Sequence, residues 1–385
     1  MTDQTNQPNV PNKTADNHQN QDPLARYHRQ TLLPGIGIEG QKKLRDSTAL
    51  VIGCGALGTV IANMLGRAGV GHLIIVDRDF IELTNLQRQI LFDEDDVAQA
   101  IPKAEAAKRK LATINSQVKV TAVVDDVNHT NIEALCHVDG KKVDIIVDGL
   151  DNFETRFILN DAAVKLGIPY VYGGAVGTVG MSYAILPHTQ KADTVWEQKG
   201  VATPCIRCIF EQAPPPGMNP TCDTAGVLGP VVSIVANYQS IEAIKILTGN
   251  WDVINQTMIS IDVWENTTKQ FKVKRAYDVG DCICCKKHDY EFLNGKFGSS
   301  TTTLCGRNAV QLSQKLAGNK LDFEEIAGRL RSHGKVVANK FMVRAEIEDN
   351  GEPYEITLFN DGRAIVKGTK EANTARSIYA KYVGA

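Results

Sequence analysis

The sequence lacks an excess of charge of either sign. Its 42 Lys and Arg residues face 44 Asp and Glu, for a formal net charge of −2. That balance argues against a nucleic-acid groove or a polybasic membrane patch as the dominant surface. A long uninterrupted apolar run is also missing. The most apolar stretch, residues 226–247, contains Pro230, Asn237, Gln239, Glu242 and Lys245, and it reads as a buried helix rather than a membrane span. No basic patch followed by an apolar segment opens the chain, so no secretory leader is expected and the cytoplasm is the expected compartment. The chain does not repeat any segment of itself.

What is present is the composition of a globular enzyme. The chain has 385 residues, 43% of them hydrophobic and 22% charged, room for two or three domains at about 150 residues each. Residues 1–23 hold nine Asn or Gln and little that is apolar. Such a segment buries too little surface to offset its ordering entropy and reads as a disordered tail. From 24 to 290, short β-branched runs alternate with helical stretches. Strands are expected at 49–52, 72–76, 118–124 and 143–147, and helices at 59–68, 103–114 and 154–166. This is the pattern of a Rossmann-like, doubly wound α/β fold, a mostly parallel sheet with helices on both faces. A strand at 170–172 leads into expected turns at Gly173, Gly174 and Gly177, then a strand at 179–186 and long loops at 187–203 and 212–221. Loops of that length are usually mobile and functional. A helix at 227–247 and strands at 258–263 and 269–273 close the unit. Residues 291–301 read as a linker, and 302–385 as a small C-terminal α+β domain with strands at 335–338, 354–359 and 364–366 and a final helix at 371–382.

Gly53, Gly55 and Gly58 follow an apolar strand and open a helix. Small residues there let the backbone approach phosphates, and the helix N-terminus adds free N–H groups and positive potential. Asp77 ends the next strand, 19 residues past Gly58, where a carboxylate accepts hydrogen bonds from a ribose. Nucleotide binding is expected, although dinucleotide dehydrogenases share this fingerprint. Beyond it come Asp79, then Asn85, Arg88 and, at a helix start, Lys103. Singly, each is most simply a solvated polar residue. Together they suit an enzyme that cleaves a triphosphate, because negative charge builds on the leaving pyrophosphate. Asp148, Asp151 and Asn152 sit at a strand's C-terminal edge, where α/β ligands bind and where a Mg²⁺ takes one or two carboxylates. Asn152 is more simply the cap of the next helix.

Cys205, Cys208, Cys282 and Cys285 form two C-x-x-C pairs, the stoichiometry of a tetrahedral structural Zn²⁺ site and a staple for one subregion of the fold. Cys284 competes at the second pair, which the spacing assigns to 282 and 285. A redox pair is the alternative, but such motifs normally begin a helix in a thioredoxin-like unit. Cys222 precedes the long helix, and Cys54, Cys136 and Cys305 read as small buried side chains.

Taken in order, these motifs closely resemble the MoeB/ThiF/HesA family, bacterial relatives of the ubiquitin-activating enzymes. The likeness runs from Arg26-Tyr27-His28-Arg29-Gln30 through the glycine loop, residues 85–89, Lys103, 148–152 with Arg156, residues 222–227 and Glu242-Ala243 to both cysteine pairs. It spans about residues 24–288. The resemblance implies adenylylation, with MgATP, of the C-terminal glycine of a ubiquitin-like sulfur carrier ending in Gly-Gly, of the molybdopterin (MoaD) or thiamine (ThiS) type. Pyrophosphate leaves and the carrier becomes open to thiocarboxylate formation. It implies that Gly53, Gly55 and Gly58 line the nucleotide, Asp77 holds the ribose, Arg88 and Lys103 bind phosphates, Asp151 partners Mg²⁺ and Asn85 adds a polar contact. Arg29 resembles the arginine that reaches the neighbouring subunit's ATP, so a homodimer is implied. The cysteine matching Cys222 links covalently to the carrier in some members and is dispensable in others. A sulfurtransferase-like domain is not evident after the linker, so sulfur is expected from a separate donor protein. The C-terminal unit, whose Asp361-Gly362-Arg363 reads as a hairpin turn, is expected to pack on the main domain. The rival classes are a nicotinamide-dependent oxidoreductase and a catalytically silent partner-binding subunit.

Overall fold

The computed structural model describes residues 23–210, 225–296, 302–304, 308–313, 322–349, 351–359 and 363–383. Residues 1–22 of the expected tail, the 212–221 loop, Cys222, Cys305, the expected turn at Asp361-Gly362 and residues 297–301 of the expected linker lie outside the described residues, while Phe292 and Leu293, at the start of that linker, are buried in the core.

Strands and principal helices are numbered in chain order. The first unit contains α1 (Gly37–Asp46), β1 (Thr48–Ile52), α2 (Ala56–Ala68), β2 (His72–Val76), α3 (Lys103–Ile114) and β3 (Lys119–Val123). It continues with β4 (Ile145–Asp148), α4 (Phe153–Leu166), β5 (Tyr170–Val176), β6 (Val179–Ile185), α5 (Gly229–Thr248), β7 (Thr257–Asp262) and β8 (Thr267–Lys272). These strands form one sheet in the order β8-β7-β6-β5-β4-β1-β2-β3. The expected mostly parallel sheet is in fact mixed: β3, β2, β1, β4 and β5 run parallel, while β6, β7 and β8 are joined to them and to one another antiparallel.

Alternating residues of the central strands serve opposite faces, as strand geometry requires. Ala49, Val51, Leu73 and Ile75 pack with α2, α3 and α5, while Leu50, Ile52, Ile74 and Val76 join α4 on the other side. Burial on both faces explains why these strands read as continuous apolar runs. The helices end on glycines in the left-handed region, Gly69 (φ 86°) after α2 and Gly249 (φ 81°) after α5, the usual C-terminal stop.

Two expectations in this unit are corrected. Gly173 and Gly174 are not turn residues but lie inside β5, and the turn falls at Gly177. A Cβ on Gly173 would stand 2.2 Å from the Gln239 side chain, and one on Gly180 2.2 Å from Val235, so glycine there admits α5 against the sheet. The 187–203 loop is pinned rather than slack. A short helix, Val195–Gln198, interrupts it, the Trp196 indole donates to the Pro187 carbonyl, and Glu197 accepts from Thr189 and Thr194.

The second unit contains β9 (Thr302–Leu304), β10 (Ala309–Ser313), α6 (Phe323–Leu330), β11 (Gly334–Ala338), β12 (Met342–Asp349), β13 (Glu352–Phe359), β14 (Arg363–Lys367) and α7 (Ala372–Tyr382). Its antiparallel sheet has the order β9-β10-β14-β13-β12-β11, with α6 and α7 on one face. As expected it packs on the first unit, through a small apolar cluster of Phe80, Ala100, Ala309, Met342, Phe359 and Ile365. No helix among the described residues is long and apolar enough to cross a membrane.

Candidate active site

Strand β1 lies between β2 and β4, so the connections leaving β1 and β4 diverge to opposite faces and open a crevice at the strand ends. The glycine loop after β1 forms one wall. Gly53 has φ +88°, and a Cβ there would meet the Gly149 carbonyl oxygen at 2.6 Å, so only glycine allows the two loops to touch. A Cβ on Gly55 would find only the Gln89 amide, at 3.8 Å. That leaves the backbone at the start of α2 approachable by a ligand, with the helix N-terminus facing it.

Asp77, at the end of β2, accepts from the Cys54 N–H (2.6 Å) and the Asp79 N–H (2.7 Å). Burial and the Asp79 carboxylate raise its pKa, opposed by Lys103 and these two bonds. Lys103 begins α3 and is buried, its ammonium 3.2 Å from Asp79. Asn85 is buried too, and its side-chain oxygen accepts from the Glu82 N–H. Arg88 is half-buried, with one guanidinium nitrogen on the Thr84 carbonyl.

The wall after β4 separates its carboxylates by role. Asp148 is fully buried, bonded by Arg156 (3.0 Å), the Tyr170 hydroxyl (2.8 Å) and the Leu150 N–H (2.8 Å). Burial still raises its pKa. Arg156 goes on to the carbonyls of Leu150 and Gly173, and Gln239 donates to the carbonyls of Asp148 and Val171. This network shapes the loop and leaves Asp148 no room for a ligand. Asp151 is exposed. Asn152 spends its side-chain oxygen capping α4, on the Thr155 N–H.

Reasoning from sequence missed Gln89. It is 3% exposed, faces the glycine loop, and its side-chain oxygen is buried without a partner. It belongs to the 85–89 run that carries the family likeness, where no role was given to it. Arg29 lies apart from the crevice's own walls, exposed on a short helix, His28–Thr31.

On the other side of the sheet the four cysteine sulfurs converge. Cys205 is 3.9 Å from Cys208 and 3.6 Å from Cys282, and Cys208 is 3.3 Å from Cys285; all four lie within 4.8 Å of one another. Sulfurs on a tetrahedral Zn²⁺ at ~2.3 Å stand about 3.8 Å apart, so the cluster can hold a metal. Cys284 is excluded from it, its sulfur accepting instead from the Asn160 amide at 3.3 Å. Cys54 and Cys136 are buried, and burial pushes Cys136 up to about 12.

The family model described as the ThiF family matches residues 27–284. The sulfur carrier protein ThiS adenylyltransferase of Bacillus subtilis is 42% identical over 361 residues, covering 93% of this chain and 99% of that protein. That coverage leaves too few residues for the C-terminal unit to lie outside the match. The sulfur carrier protein adenylyltransferase of Thermus thermophilus is 37% identical over 253 residues, 66% of this chain and 88% of that protein. Among solved structures, E. coli MccB with ATP superposes with a TM-score of 0.54 at 24% identity, covering 68% of this chain and 74% of that one, a likeness of fold.

Proposed function

The chain belongs to the ThiF family, and from that membership we propose that it is a nucleotidyltransferase that adenylylates the C-terminal glycine of a ubiquitin-like sulfur carrier. The carrier carboxylate attacks the α-phosphate of ATP, the bond to the β-phosphate breaks, pyrophosphate leaves, and an acyl-adenylate forms. The full-length relative that acts on ThiS supports a thiamine-type carrier. The observation that carries the reading is the crevice itself, where, among the described residues, a glycine loop, an acidic strand end and a buried lysine meet and the loop's own thiol, Cys54, is buried away from any ligand. Such a site works by position and charge, which is what this transfer requires.

In this reading Gly53, Gly55 and Gly58 let the backbone approach the nucleotide, and Asp77 accepts the ribose hydroxyls. Lys103, Arg88 and Asn85 bind the triphosphate, where charge accumulates as pyrophosphate departs. Of the carboxylates after β4, exposed Asp151 suits a Mg²⁺ on the phosphates, since Asp148 is committed to Arg156. Asn152 acts through the cap of α4. Cys205, Cys208, Cys282 and Cys285 suit a structural Zn²⁺ that ties the segment after β6 to the segment after β8. Exposed Arg29, with Leu32 and Leu33 exposed beside it, supports a homodimer in which the arginine serves the neighbour's nucleotide. A cytoplasmic enzyme that takes sulfur from a separate donor protein completes the reading. Cys222 is assigned to the step after adenylylation.

Hydroxylamine tests the proposal. With MgATP and a ThiS-type carrier, the enzyme should convert the carrier's terminus to a hydroxamate, read by mass spectrometry. A carrier of unchanged mass, with ATP intact, would contradict it.

A further inference from the structure

The face of the C-terminal sheet turned away from α6 and α7 is not simply apolar. Alternation along the strands places Val310, Ala345, Ile356, Leu358, Ala364 and Val366 toward the helices. The opposite positions include Gln311, Arg363 and Lys367 beside Met342, Phe359 and Ile365. A face that needed only to be covered would be cheapest as hydrocarbon, since a buried polar group costs stability unless it is bonded. Gln311 and Lys367 are bonded, with partners on the segments that build the nucleotide crevice.

Gln311 of β10 is 6% exposed. Its side-chain oxygen accepts from Arg78 at 3.0 Å and its amide donates to Asp126 at 3.3 Å, while Arg78 itself lies 2.9 Å from Asp126. Arg78 stands between Asp77 and Asp79, so this knot fixes the backbone that aims both carboxylates. Lys367 of β14 pairs with Glu82 at 2.7 Å and Glu355 at 3.0 Å, and Glu82 is the residue whose N–H engages Asn85. Asn339 donates to the Ala100 carbonyl at 3.0 Å. Ala100 has φ +47°, an unfavourable region for alanine, and lies three residues before Lys103. Phe359 meets the Phe80 ring at 5.7 Å, and Phe80 bridges to Pro102, the residue before Lys103.

We propose that the C-terminal unit is a clamp in cis that sets nucleotide affinity, with Gln311 and Lys367 as positioning residues for Asp77 and Asn85. This rests on the reading of the crevice as an ATP site. Neither residue touches the reacting atoms. Each holds the loop that does, and removing the contact lets that loop relax before ATP binds, so the cost appears in ATP affinity rather than in the chemical step.

The test uses the full chain carrying Gln311→Ala and Lys367→Met, with Lys367→Arg as the conservative variant and Lys381→Ala, on the far side of the unit, as the control. ATP binding is measured by calorimetry without carrier, and ATP KM and kcat by pyrophosphate exchange. Two lost polar contacts predict ATP affinity weaker by about tenfold, with an equal rise in ATP KM, kcat within about twofold and carrier KM unchanged. Lys367→Arg should restore most of the affinity, and Lys381→Ala should match the wild type. Should the double variant not fold, Lys367→Met alone, at a half-buried position, must show a weakening of about threefold. A folded variant that binds ATP as the wild type does overturns the clamp alone. A wild type that binds no ATP overturns the nucleotide reading and the clamp with it.

Discussion

The ammonium of Lys103 sits 3.2 Å from Asp79 with its side chain only 4% exposed. It begins α3, so the charge lies at the positive end of a helix and out of water, both unfavourable to a cation. The Asp79 carboxylate offsets that cost, and a polyanion entering the crevice would do the same. The role proposed for Lys103 on the triphosphate rests on this placement.

Lys103→Ala is therefore expected to lower kcat/KM for pyrophosphate exchange by about 10²–10³-fold, the range for loss of one preorganised charge partner. A decrease of less than about threefold would remove Lys103 from the mechanism.

Arg156→Met is expected to destabilise the protein by about 3–5 kcal/mol in chemical denaturation, because it strands the buried Asp148 carboxylate. Some nucleotide affinity should go with it, through the loop before Asp151. A loss below about 1 kcal/mol would mean that Tyr170 and the Leu150 N–H satisfy Asp148 unaided.

Metal content distinguishes the cysteines. The purified protein should hold about one Zn²⁺ per chain, lost in Cys208→Ser and Cys285→Ser together with a lower melting temperature. Cys284→Ser should keep its zinc, since that sulfur is bonded to Asn160. Retention in Cys208→Ser with loss in Cys284→Ser would reassign the ligand set.

Asp161 supplies a pH signature. Burial raises its pKa to about 6, countered in part by bonds that include the N–H groups of Phe292 and Leu293. The folded state therefore holds the proton more tightly than the unfolded chain. This favours folding below the ordinary aspartate range, and the benefit is lost as pH rises from about 4 through 6. Asp161→Asn should abolish that component. Its stability relative to wild type should be about 1 kcal/mol better at pH 7 than at pH 5 in urea melts, and a difference independent of pH would contradict the shift.

Much of the first unit was legible because its signals are local. The runs at His72–Val76 and Lys103–Ile114 coincide with β2 and α3, and the two cysteine pairs meet as their spacing implied. Gly173 was misread because its reason is tertiary: it makes room for Gln239 on a distant helix. Other misses were legible in principle. Strand β12 alternates Val343, Ala345 and Ile347 with Arg344, Glu346 and Glu348, a period-2 pattern, and Asp322, just before α6, caps the N–H groups of Glu324 and Glu325. The clamp was not legible at all. Arg78 and Gln311 are 233 residues apart, and neither carries a local signal for the other.

The central claim is carrier adenylylation, and pyrophosphate–ATP exchange tests it most directly, with thiamine-type and molybdopterin-type carriers each supplied intact and lacking the final glycine. The account predicts exchange with the intact thiamine-type carrier that vanishes when its last residue is removed. Tight ATP binding without exchange on any intact carrier would contradict it.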